Sequence, residues 1–129
     1  MNTKLLLTVS ALLLGIIGIG LSFLPAEILT MLHIKTSQTS ALIMQLLGAL
    51  YLGFGMMNWM AKDSIIGGIY NKPLVTGNLM HFAIGAITLL KIAFNIKDSK
   101  EVLIPLTVIY TLFALAYMIV FTKNPKTVK

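Results

Sequence analysis

Gln45, Asn58, Asn78, His81, Lys91, Tyr110 and Tyr117 stand inside otherwise apolar stretches of this sequence. A polar side chain at membrane depth is costly, so each is a candidate for binding or proton chemistry. His81 carries the most chemical potential. It sits about seven residues into an apolar run, roughly 10 Å deep at 1.5 Å per helical residue. Asn78 precedes it by three positions and shares its helical face. Depth sorts the candidates into two levels, one with Asn58, Asn78, His81 and Tyr117, the other with Gln45, Lys91 and Tyr110. At the first level His81 either closes the polar floor of a small cavity, binding a headgroup or relaying a proton, or is a neutral imidazole bonded to Asn58 or a backbone carbonyl. At the second, Lys91 either snorkels to the interface along its alkyl stem or is a buried ammonium held by Gln45 and Tyr110.

The absent residues exclude more than the present ones suggest. There is no cysteine, which removes thiol redox chemistry and sulfur-ligated metals. His33 and His81 fall on opposite membrane sides, so neither a metal site nor a bis-His haem is expected, and eight methionines read as packing. The four acidic residues, Glu27, Asp63, Asp98 and Glu101, lie in loops or at span ends. That leaves no intramembrane carboxylate for proton-coupled transport. Ser10 and Ser22 have no base placed to activate them, and Gly67-Gly68 is a turn rather than a phosphate loop. No catalytic residue and no cofactor are assigned. All ten basic residues are lysine, and arginine, the usual bidentate phosphate reader, is missing. Nucleic acid is not an expected partner, and the net charge of +6 reads as topology signals and attraction to anionic headgroups.

Behind these residues stand the elements that position them. The 129 residues are 57% hydrophobic and 11% charged, with mean hydropathy +0.92. A soluble surface carries about 25% charged residues. Four apolar segments, about 5–24, 41–61, 74–96 and 102–121, are each long enough to cross a bilayer. The fold class expected is all-α, a single four-span integral membrane bundle over 1–129. The first run is too long for a signal-peptide core and lacks an A-x-A cleavage pattern, so it is expected to be retained. Pro25 ends span 1, and Ala26 to Lys35 forms a short amphipathic interfacial segment. Lys62-Asp63, Gly67-Gly68 and Asn71-Lys72-Pro73 make the second loop, Lys97 to Glu101 a charged turn, and Lys123 to Lys129 a frayed tail. Lysines 4, 62, 72, 123, 126 and 129 outnumber lysines 35, 97 and 100 on the other side, which predicts both termini in the cytoplasm. Trp59 beside Lys62 suits an interfacial anchor on that side.

Helices in lipid associate through close packing and hydrogen bonds, so small-residue stripes mark their contact faces. Span 1 offers Thr8, Ala11, Gly15, Gly18 and Ser22, span 2 Gln45, Gly48, Leu52, Gly55 and Trp59, and span 3 Asn78, His81, Gly85 and Thr88. Span 4 presents Tyr110, Ala114, Tyr117 and Phe121, a bulky face expected to lie against the small stripes.

Leu24-Pro25, Leu32-His33-Ile34-Lys35, Gln45-Leu46-Leu47-Gly48-Ala49, Gly53-Phe54-Gly55 and Asn58-Trp59-Met60-Ala61-Lys62 together resemble the DoxX-like and allied small four-helix bacterial membrane proteins. The resemblance covers about a third of the chain and implies a four-helix bundle, with no catalytic residues to carry over. The expectation is a non-catalytic accessory or assembly protein of the bacterial inner membrane, in contact with membrane lipid and with a protein partner or a second copy through its small-residue stripes. The alternatives are a binder or carrier of a small apolar molecule such as a lipid or quinone, and a transporter or channel.

Overall fold

Long apolar runs without interior charge have one way to satisfy their backbone in hydrocarbon, an α-helix closing every hydrogen bond within itself. A computed structural model of the chain describes residues 2–64, 71–95 and 99–123, all helix and connecting turns with no strand among them. The helices are α1 (Thr3–Phe23), α2 (Pro25–Met31), α3 (Gln38–Ala61), α4 (Lys72–Ala93) and α5 (Lys100–Thr122). All but α2 are long and apolar enough to cross a membrane. The Gly67-Gly68 turn, Ile96 at the end of span 3, Lys97-Asp98 and the tail from Asn124 lie outside the described residues.

Helix ends differ from the expected boundaries for local reasons. Lys72 and Pro73, expected in the loop, form the first turn of α4, where proline's missing N–H would have had no partner. α3 starts at Gln38 because Ser37 caps it. The Ser40 N–H donates to Ser37 Oγ (3.1 Å) and the Ser37 N–H donates to Ser40 Oγ (2.9 Å), a capping box. Lys100 and Glu101, expected in the turn, open α5, with Glu101 facing the positive end of the helix dipole. Pro105 lies inside α5 without ending it.

The amphipathic segment after span 1 is helical only over α2. It ends in a Schellman motif: the His33 N–H donates to Thr30 O (3.0 Å) and the Ile34 N–H to Leu29 O (2.9 Å). His33 takes the left-handed conformation this requires, with φ 57°. Leu29 is buried, while Glu27 and Lys35 are exposed.

The chain divides into two compact units, one of Leu5–Lys62, the other of Met1–Lys4 with Asp63–Lys129. In the first, α1 and α3 run antiparallel with their backbones in contact. A Cβ on Gly18 would lie 2.8 Å from Leu52 N and 3.0 Å from Gly48 O, and one on Gly55 would lie 3.0 Å from Gly15 N and 3.1 Å from Ala11 O. The stripes of spans 1 and 2, expected to receive the bulky face of span 4, therefore face one another. Without side chains between them the helices come close enough for dense packing along their backbones. In the second unit α4 and α5 form an antiparallel pair around a fully buried Phe82. Phe113 stacks on it at 4.8 Å, Tyr117 at 5.6 Å, and Tyr110 meets it edge-on at 5.2 Å. Here the bulky face of α5 does meet the small position of α4, since a Cβ on Gly85 would fall 2.6 Å from the Tyr110 ring.

Candidate functional site

Gly85 leaves room for the edge of the Tyr110 ring against α4, and His81 stands one turn before Gly85 on the same face. The phenol therefore reaches the imidazole: His81 Nε2 and Tyr110 Oη share a hydrogen bond of 3.2 Å. The His81 ring also meets Phe82 edge-on at 5.1 Å. This corrects the two-level sorting, which placed Tyr110 with Gln45 and Lys91. Counting residues along span 4 gives the depth of the Tyr110 backbone, but its side chain carries the hydroxyl to His81. The pairing also overturns a Lys91 ammonium held by Tyr110. Lys91 is exposed in the last turn of α4, near the interface where a lysine can snorkel.

The other candidates also make contacts. Asn58 is fully buried on α3 and donates through Nδ2 to Ser10 Oγ of α1 (3.2 Å). Ser10 in turn donates to Leu7 O (3.1 Å), so a short chain of hydrogen bonds crosses from one helix to the other. Asn78, also fully buried, turns back on its own helix and donates to Leu74 O (3.0 Å). Gln45 Nε2 reaches Ser22 O at 3.5 Å, a long contact at the end of the α1–α3 pair. Tyr117 is buried with its ring stacked on Phe82.

The structure thus brings together His81 with Tyr110 and, through Phe82, with Tyr117. It gives Asn58 to Ser10. No three His, Asp or Glu side chains among the described residues could hold a metal ion. Chemically, the His81–Tyr110 pair can exchange a hydrogen-bond proton, and the Asn58–Ser10 pair can fix helix register. Sequence reasoning passed over Ser10, Phe82 and Phe113. Ser10 was considered only as a nucleophile, although a serine mid-span is as readily a partner for an asparagine on a neighbouring helix. Phe82 falls next to His81, one position off the small-residue stripe, where periodicity gives no sign that it is the centre of packing.

A concave surface lies between α1 and α3. It is a groove of about 330 Å³ lined by apolar side chains, among them Ile16, Ile19, Leu52, Met56 and Trp59, with Gly15 also lining it. None of the expected site residues lines it. Its one notable neighbour is Lys62, whose Nζ stands 3.2 Å from the centroid of the Trp59 ring.

Comparison of the chain with known proteins gives no matching family model, curated protein or solved structure.

Proposed function

We propose that this chain is a non-catalytic accessory or assembly protein of the bacterial inner membrane, crossing it four times as one bundle with both termini in the cytoplasm, in the manner of the DoxX-like proteins. The observation that carries this reading is the set of bonds its intramembrane polar groups make between and within helices. Asn58 bonds to Ser10, His81 to Tyr110 and Asn78 to its own helix. Bonds of this kind, between and within helices, are the ordinary use of polar side chains in a bilayer.

Two measurements test this. The chain has no cysteine, so single cysteines introduced at Asn2 and Lys35 report sidedness through a membrane-impermeant maleimide. Labelling of Lys35→Cys but not Asn2→Cys in intact cells is expected, and the reverse would overturn the orientation. Native mass spectrometry of the gently extracted chain is expected to show a stoichiometric protein subunit. A tightly held redox cofactor, or turnover lost on His81→Ala, would refute the non-catalytic role.

A further inference from the structure

The groove between α1 and α3 is a consequence of where the two helices touch. Their backbones meet at Gly18, Gly48 and Gly55, the last against the backbone of Gly15, but a Cβ on Gly15 would point away from that contact with nothing within 4 Å. Side chains rise on either side of that gap, Ile16 and Ile19 on α1, Met56 and Trp59 on α3. Ile16 and Met56 are 70% and 61% exposed, so the groove opens outward along the helices.

Its length and chemistry restrict what fits. From Trp59 to Leu52 is seven helical residues, about 10 Å, within the roughly 15 Å depth of one leaflet, half of a ~30 Å hydrocarbon core. Its lining offers no polar partner, so a ligand with carbonyl or hydroxyl groups along its length would bury them unpaired. A quinone ring fits poorly for that reason. An acyl chain has no such groups. In a bilayer an acyl chain gains only packing by entering a groove, because the surrounding lipid is equally apolar. Selection therefore has to come from the headgroup end. There the Lys62 ammonium, just past the last residue of α3, is held over the Trp59 ring, at the rim of the groove that the same ring lines.

We propose that this groove seats one acyl chain of an anionic phospholipid whose phosphate is held by Lys62. The proposal rests on the helices crossing a bilayer and is independent of the accessory role.

The test uses the full chain in nanodiscs of phosphatidylglycerol and phosphatidylcholine with identical acyl chains, in equal amounts. Native mass spectrometry of the released protein is expected to show one retained phosphatidylglycerol per chain in preference to phosphatidylcholine. Lys62→Gln is expected to lower that preference about fivefold, the worth of one lysine near an anionic surface. Gly15→Leu fills the groove from a position with open space at Cβ, and is expected to abolish retention of either lipid. Trp59 is the single tryptophan, which supplies a readout that needs no groove-filling variant. Brominated phosphatidylglycerol should quench its fluorescence more than brominated phosphatidylcholine, with the difference lost in Lys62→Gln. Equal retention and quenching by the two lipids would overturn the proposal. So would undiminished retention in a folded Gly15→Leu chain, or a dimer in which a second copy displaces lipid from the groove.

Discussion

Gly48→Ala adds one methyl group where α1 and α3 lie closest. The new Cβ would collide with Ser22 Oγ, which can rotate away, but it would also stand 2.8 Å from Ser22 N and 3.0 Å from Gly18 O, which belong to the opposing backbone. Carbon contacts settle at about 3.5 Å or more, so the helices must part by roughly 0.5–0.7 Å. A gap of that size forfeits about a quarter or more of each contact's attraction along the seam. Overpacking of this kind costs about 1–3 kcal/mol. In water the alanine would recover about 0.5–1 kcal/mol by stiffening the unfolded chain. In a membrane the separated helix stays helical, so little of that offset applies. Gly53→Ala is the matched control on the same helix, since its Cβ would meet nothing within 4 Å; it should stay within about 0.5 kcal/mol of the parent. The assay is reversible unfolding in mixed micelles by titration with sodium dodecyl sulfate, followed through Trp59. A midpoint for Gly48→Ala that coincides with that of Gly53→Ala would refute the backbone contact and the groove that depends on it.

Other perturbations act on separate parts of the same structure. Tyr110→Phe removes the hydroxyl bonded to His81 and should cost about 0.5–1.5 kcal/mol; a double-mutant cycle with His81→Gln should give a coupling near 0.6 kcal/mol, and zero coupling would dismiss the pair. His33→Gly should match or slightly exceed the parent in stability, whereas His33→Val should lose about 1–2 kcal/mol through the left-handed conformation, both read by the same titration. Ser37→Ala removes the α3 cap and should cost about 1 kcal/mol, visible as faster amide exchange in residues 38–41.

The existence of the four long helices was legible because each announces itself by an uninterrupted apolar run. Their ends were less so, since an end is decided by one or two groups. Pro73 looks like a loop residue until its place in the first helical turn is known, and two serines at 37 and 40 look like loop filler until each caps the other. His33 was weighed only as a partner for His81 and set aside; what its left-handed conformation does is close α2. Small-residue stripes were also legible, but a stripe names a face and not the surface it meets. The stripe of α4 does receive Tyr110 at Gly85, while those of α1 and α3 meet each other, a choice that depends on the whole set of contacts.

The candidate site was misjudged at Tyr110 for a related reason. Depth counted along the backbone treats each residue as a point, but a tyrosine lying across a glycine delivers its hydroxyl about one turn away. Polar residues in hydrocarbon must find partners, and the composition shows how many donors there are without showing how they pair. Asn58 and Ser10 are 48 positions apart, beyond anything periodicity can connect. Once paired, they fix the sliding register of α1 against α3, and the glycine contacts at 18, 48 and 55 fix their distance. Those two constraints together leave the Cβ side of Gly15 open, with Trp59 and Lys62 at one end of the groove. The polar residues that first drew notice as chemistry bond between and within helices, and the contacts of α1 with α3 leave an apolar groove open beside them.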